Sequence, residues 1–383
     1  MENNHTPEIR FPGFTGDWEE RRVMDFSEET IGGGTPKTSV KEYWNGEIPW
    51  IQSSDLNEHQ VSNVYAKKKI TKKGLQNSAT KVIPKNSIAI VTRVGVGKIA
   101  LMEYEYATSQ DFLSLSNLKV NEWFGVYSLY KQLQKELNNV QGTSIKGITK
   151  NELLGKKINT PTNSEEQTKI GIFLKKLDGT IALHQQELTT LKQTKQGFLQ
   201  KMFPKEGEFL PEVRFPGFSG EWEQRNLGGI LKVNSGRDYK HLQQGNIPVY
   251  GTGGYMLSVN DKLSDEDAIG IGRKGTIDNP QLLKAPFWTV DTLFYMTTKE
   301  KYDLLFCYSL VKKIQWKKYD ESTGVPSLSK SSIDKISVCI PTLGEQKKIG
   351  NFFKQLDDII TLHQRELDAL KETKKAFLQK MFV

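Results

Sequence analysis

A long internal repeat constrains this chain more than any other feature. Residues 7–23, PEIRFPGFTGDWEERRV, return at 211–227 as PEVRFPGFSGEWEQRNL, identical at eleven of 17 positions. Residues 166–203 return at 345–382, identical at 25 of 38 positions. Between these anchors the copies diverge. Gly46-Glu47-Ile48-Pro49 is echoed by Gly245-Asn246-Ile247-Pro248, Arg93-Val94-Gly95 by Arg273-Lys274-Gly275, Asp111 by Asp291, and Tyr127-Ser128-Leu129 by Tyr308-Ser309-Leu310. A repeat of this length fixes the architecture. A variable globular part is followed by a near-constant segment, and the unit is written twice.

The constant segments carry a heptad pattern. Ile170, Leu174, Leu177, Ile181, His184, Leu188, Leu191, Lys195, Phe198 and Met202 follow a 4-3-4-3 spacing, and Ile349, Phe353, Leu356, Ile360, His363, Leu367, Leu370, Lys374, Phe377 and Met381 repeat it in phase. Eight of ten positions are apolar in each, which is a coiled-coil seam. No proline interrupts either run. Ser164 and Glu166-Gln167 offer N-terminal capping chemistry, and Pro204 and Gly207 end the first helix. Each helix is predicted at about 38 residues, roughly 57 Å. Two seams in one chain most simply pair with each other, and antiparallel pairing makes the repeat pseudo-two-fold. The seam histidines His184 and His363 read as polar residues that fix register, ahead of a metal or pH switch.

The variable segments, 8–160 and 212–340, mix short β-rich runs with Gly-rich turns, and each holds an amphipathic helix, near 122–138 and 302–318. They are predicted to be compact α/β domains on a mixed or antiparallel sheet, so the fold class is α+β. The net charge is +8. More telling, no acidic residue occurs from His59 to Met102, a window holding Lys67, Lys68, Lys69, Arg93 and Lys98. Such a run is either a solvated face or an electrostatic footprint for phosphates. Glycine lets backbone approach a ligand closely, and Arg, Lys, Gln, Ser and Thr read base edges. On that chemistry the candidate DNA-contacting residues are Thr35, Lys37, Gln52, Ser53, Ser54, Lys67, Lys68, Lys69, Arg93 and Lys98 in the first copy. In the second they are Arg237, Gly251, Thr252, Gly253, Arg273 and Lys274. Arg93 and Arg273, at matching places, are both expected to face DNA. Trp44 and Trp50 read as core.

Taken together, PEIRFPGFTGDWE, GGGTP…YWNGEIPW, and EQ-x-KI-x-x-F-x-x-LD…FLQKMF resemble the specificity subunits of type I restriction–modification systems, over essentially the whole chain. The resemblance implies two target-recognition domains, 1–163 and 205–343, each reading half of a split double-stranded DNA site. It implies two spacer helices, 164–204 and 344–383, forming an antiparallel coiled coil. The partners it implies are two modification (adenine methyltransferase) subunits and restriction subunits, which would use S-adenosylmethionine, ATP and Mg; no cofactor is expected in this chain itself. The alternatives are an architectural coiled-coil protein without DNA preference and a nuclease or methyltransferase with unrecognised motifs.

The remaining features narrow the reading. Cys307 and Cys339 form no CxxC pair or disulfide framework, which fits a reducing cytoplasm and argues against zinc. No apolar run is long enough to span a bilayer, and no membrane partner is expected. No NPPY or DPPY methyltransferase motif and no Walker A motif is present, so no catalytic residues are expected. Gly270-Ile271-Gly272-Arg273-Lys274-Gly275 matches GxGxxG but precedes Thr-Ile-Asp-Asn-Pro, not a helix pattern.

Overall fold

The computed structural model describes residues 6–139 and 147–383. The chain forms two compact units. One comprises Met1–His184 and Glu366–Val383, the other Gln185–Arg365. Each unit therefore contains half of each long helix. Among the described residues no helix is long and apolar enough to cross a membrane.

In the first unit the strand Glu19–Arg22 pairs antiparallel with Lys157–Thr160 and closes the domain's neck. Beyond it lies a four-stranded antiparallel sheet in the order Ser27–Gly32, Phe112–Leu118, Ser87–Val91, Ile99–Met102. A three-stranded mixed sheet follows, Lys68–Ile70, Trp44–Ile51, Ala107–Thr108. The helix Glu122–Asn139 packs Phe124, Tyr127, Leu129 and Leu133 into a core with Ile88, Ile90 and Leu115.

The second unit repeats this plan strand for strand. Its neck is Glu223–Asn226 with Ser337–Ile340. Its four-stranded sheet runs Leu231–Ser235, Leu293–Thr298, Ala268–Gly272, Gln281–Leu283, and its three-stranded sheet Gly254–Val259, Gln244–Gly251, Trp288–Thr289. The domain helix Leu304–Lys313 is shorter than the predicted 302–318. Trp316 ends it by folding back, buried, with its indole N–H donating to the Val311 carbonyl at 2.9 Å.

Both long helices have the predicted length, Ser164–Lys201 and Leu343–Lys380, 38 residues each. In the first unit Phe173 meets Phe377 edge-on at 4.8 Å, Asp178 pairs with Lys374 at 2.5 Å, and His184 lies 4.0 Å from Glu366. Partner numbers fall as the first helix's numbers rise, so the pairing is antiparallel. The second unit shows the same with Phe198 on Phe352 at 5.1 Å, Lys195 on Asp357, and Glu187 3.9 Å from His363. The predicted seam residues line both packings. Ile170, Leu174, Leu188, Ile349, Phe353 and Leu367 are buried, and Leu177, Ile181, Leu191, Leu356, Ile360 and Leu370 half-buried.

The two lysines in the seam are explained by their partners. The Asp178 carboxylate takes Lys374 on one side and the Tyr127 hydroxyl, at 2.6 Å, on the other. Burial, reinforced by that carboxylate, pushes the Tyr127 hydroxyl far above its ordinary pKa, so it remains a donor. In the second unit Asp357 holds Lys195, and burial and then Asp357 push Tyr308 up to about 12. Counted from the equivalent helix caps Asn121 and Asp303, Tyr308 takes the place of Val126 and Ser309 that of Tyr127, so the two Tyr-Ser-Leu runs lie one residue out of step. A buried charge is tolerated when paired and hydrogen-bonded.

The start of the first long helix is not capped by Ser164 and Glu166-Gln167 as expected. Asn163 caps the first helix, accepting the Glu165 N–H at 2.8 Å, and the Glu-Gln pairs are used otherwise. Glu166 receives a bidentate guanidinium from Arg10, at 2.6 and 2.8 Å, and Glu345 receives Arg214 at 2.7 and 2.8 Å. The hydrogen bond to the carboxylate holds each guanidinium above its usual pKa. Gln167 accepts from the Asn121 N–H at 2.9 Å, and Asn121 in turn caps the domain helix; Gln346 does the same for the capping residue Asp303 at 3.0 Å. The next conserved glycine lets the helices touch, since a β-carbon on Gly171 would sit 2.7 Å from the Phe124 nitrogen and one on Gly350 2.6 Å from that of Phe306. The PExRFPGF and EQxKIG motifs are thus two faces of one clasp.

Arg214→Ala should destabilise its unit by about 3–5 kcal/mol, because it strands a Glu345 carboxylate with no solvent exposure. Urea unfolding followed by fluorescence reads this directly; a loss under about 1 kcal/mol would contradict the clasp's role.

Candidate nucleic-acid interface

In the first unit the structure gathers most of the sequence candidates around one short turn. Asp55 accepts the Gln52 N–H at 3.0 Å and shapes residues 52–55 into a 3-10 turn. The Gln52 amide donates to the Ser54 hydroxyl at 3.0 Å. Lys67 reaches the Ser54 carbonyl at 3.3 Å and lies 3.8 Å from Asp55, whose side chain is fully buried. Lys98 reaches the Ser53 carbonyl, also at 3.3 Å. Gly95, at φ +88°, brings the loop carrying exposed Arg93 alongside Ser53. The loop's far end rests on the domain helix, where Gln134 donates to the Gly97 carbonyl at 3.3 Å. Gln52, Ser53, Ser54, Lys67, Arg93 and Lys98 therefore form one polar, cationic surface. Buried Asp55 organises it, and nothing in the local sequence marked its carboxylate as more than part of a polar loop.

The other candidates of this unit have different partners. The Thr35 hydroxyl bonds the Gln110 side chain, and the Lys37 carbonyl accepts the Trp44 indole N–H at 3.3 Å. Lys68 lies over the rings of Trp44 and Trp50, at 5.7 and 5.9 Å, and the Lys69 backbone pairs with Pro49. Trp50 is core, at 3% exposure, whereas Trp44 is half-buried and stacks edge-on against it.

In the second unit the long 52–67 connection is replaced by a tight hairpin. Gly251, Thr252 and Gly253 form its turn, and Gln281 clamps it by donating to the carbonyls of Gly251 and Thr252, both at 3.0 Å. Arg273 follows the strand Ala268–Gly272, with its guanidinium over the Phe294 ring at 5.7 Å. Lys274 is exposed and bridges Ser327 through its backbone. The GxGxxG stretch is the end of a strand and a loop leading to the strand Gln281–Leu283, with no helix to receive a pyrophosphate. Arg237 is exposed at the end of the strand Leu231–Ser235.

Strand pairing corrects two correspondences: Phe112 and Leu293 pair equivalently with Val91 and Gly272, so Asp111 matches Thr292 and not Asp291, and the arginines shift likewise. Thr92 donates its N–H to the Asp111 carbonyl at 2.7 Å, and Arg273 donates to that of Thr292 at 2.8 Å. Arg273 therefore occupies the place of Thr92, and Arg93 that of Lys274. Because side chains alternate across a strand, a one-residue shift changes the face presented. The shared R-x-G pattern had aligned the two arginines one residue out of step.

The sequence profile described as the type I restriction modification DNA specificity domain matches residues 15–193 and 219–372. The chain is 26% identical to the type I restriction enzyme MjaIX specificity subunit of Methanocaldococcus jannaschii, over 95% of this chain and 92% of that protein. It is 32% identical to the EcoR124I/EcoR124II specificity subunit of Escherichia coli over 38% of each. Its fold matches the crystal structure of the type I restriction–modification S subunit from M. genitalium with a TM-score of 0.71, at 20% identity and 99% coverage of both chains.

Charge reversal at Lys67 and Lys98 should weaken DNA binding and lower the slope of log affinity against log salt by about one for each lost phosphate contact. An unchanged slope would remove this surface from the interface.

Proposed function

The chain belongs to the type I restriction–modification DNA specificity family, and from that premise we propose that it reads a two-part double-stranded DNA site and carries no catalytic centre of its own. One observation supports this above the rest. The same domain is built twice on the same clasp, while the connection after its central paired strand differs, a 3-10 turn over Asp55 in one and a Gln281-held hairpin in the other. Two different readers on one frame suit two different half-sites.

The nearly identical long helices offer two equivalent surfaces, which suits two copies of one partner. On this reading the partners are two modification subunits, which methylate adenine with S-adenosylmethionine, together with restriction subunits that use ATP and Mg. The working compartment is the cytoplasm. The helices set the separation of the half-sites, since their rise per residue is fixed.

Co-purification with a modification subunit, followed by mapping of methylated adenines after treatment with S-adenosylmethionine, tests the assignment. A single bipartite motif is expected; methylation without a motif would support a purely architectural role. Inserting one heptad into each long helix lengthens it by about 10.5 Å and should lengthen the spacer between half-sites. An unchanged spacer would refute the ruler.

A further inference from the structure

The backbone at Arg237 is held on both sides. Its N–H donates to the Thr289 carbonyl at 2.9 Å, and its carbonyl accepts the indole N–H of Trp288 at 3.0 Å. The preceding Gly236 packs so tightly that a β-carbon would sit 1.9 Å from the Val290 oxygen. Trp288 is 3% exposed and lies edge-on to His241 at 6.0 Å. The Arg237 side chain, by contrast, is exposed. Among the described residues it has no ion pair and no side-chain hydrogen bond, as is also true of Arg93 and Arg365, and its charge is felt by the Tyr295 hydroxyl. A rigid backbone thus presents a free guanidinium to solvent.

The first unit contains the same clamp with different parts. The Gly34 N–H donates to the Thr108 carbonyl at 2.8 Å, and its carbonyl accepts the Trp50 indole N–H at 3.0 Å. Gly33 would place a β-carbon 1.9 Å from the Ser109 oxygen, as Gly236 does at Val290. The indole, however, comes from the opposite strand of the pair. Trp50 faces Ala107 in the first unit, and Val249 faces Trp288 in the second. The large residue has changed strands while the hydrogen bond stayed. What differs is the residue held. A β-carbon on Gly34 would strike the Thr80 nitrogen at 2.5 Å, so that position is roofed over, while at Arg237 it is open.

We propose that Arg237 reads a guanine of the second domain's half-site, donating to O6 and N7 in the major groove, and that Trp288 is the positioning residue that aims it. This rests on the DNA-reading function proposed above. The planar fork of arginine fits those two acceptors, and a lysine does not reproduce it. A clamped backbone keeps that fork from spending its binding energy on ordering itself.

The test uses the full chain assembled with its modification subunit and DNA in which half-site guanines are replaced, one at a time, by 7-deazaguanine, which lacks N7. At one guanine the replacement should weaken binding about tenfold. Arg237→Ala should bind guanine and 7-deazaguanine equally there, and Arg237→Lys should keep non-specific binding while losing the discrimination. Trp288→Phe keeps an aromatic ring, smaller than the indole, and loses the N–H. It should shrink the discrimination at that guanine at least threefold and leave the other half-site's preferences untouched, which a purely structural role would not do. A 7-deazaguanine penalty that survives Arg237→Ala, or a half-site without guanine, overturns the assignment to Arg237. Full discrimination in a folded Trp288→Phe complex overturns the positioning role. No sequence preference in the unaltered complex would instead overturn the DNA-reading function itself.

Discussion

Everything built on the two recognition domains depends on the bidentate contact between an arginine and a buried glutamate at the head of each long helix. Arg10 on Glu166 and Arg214 on Glu345 join a segment before the domain to a helix after it, 156 and 131 residues later. Around each pair the glutamine and glycine of the same helical turn seat the capped end of the domain helix. All the groups involved lie in the constant anchors or at the domain helix cap. Few contacts outside the clasp tie the sheets and loops between the neck strands to the long helices, among them Lys175 with Glu103 at 3.4 Å and Lys374 with the His59 carbonyl at 3.5 Å. A frame that holds its reader through a few charge-assisted contacts allows the reader's surface to diverge freely, which is the pattern the repeat displays.

The long helices also complete the cores of both units. The first unit's core includes Leu378, Met381 and Phe382 from the end of the second helix, packed with Trp18 and Phe124. The second unit's core includes Leu199, Met202 and Phe203 from the end of the first. Each domain is thus completed by the helix that leaves the other, and deleting 344–383 would strip the first unit's core as well as any docking surface. The seam ion pairs add direction. Asp178 with Lys374 and Asp357 with Lys195 lie where an apolar seam would be indifferent to register, and each also meets a domain helix through or beside a tyrosine, Tyr127 or Tyr308.

The architecture was legible because periodicity and repetition are properties of sequence alone. The heptads set both helices, and the paired anchors set two copies of one domain. The site was legible only as chemistry. Gln52, Ser53, Ser54, Lys67, Arg93 and Lys98 do converge, yet the residues that organise the surfaces went unseen. Gln281 and Trp288 act through long-range contacts with Gly251 and Arg237, which no local pattern marks, and Asp55 shapes its turn locally through Gln52 but meets Lys67 only in the folded chain. The exchange of Trp50 and Ala107 for Val249 and Trp288 is invisible along the chain, because it compensates across paired strands. The misalignment of Arg93 with Arg273 has the same origin, since strand register is fixed by pairing and not by motif.

The central claim is that each domain reads its own half-site independently of its place in the chain. The neck contacts define the exchangeable part, as Val23 donates to the Lys156 carbonyl at 2.8 Å and Leu227 to that of Ile336 at 2.8 Å. The decisive measurement is the methylation motif of a chimaera in which residues 227–336 replace 23–156. A symmetric site, with the second domain's half-site at both ends, is the predicted result. Retention of the original asymmetric site by the folded chimaera would contradict the account.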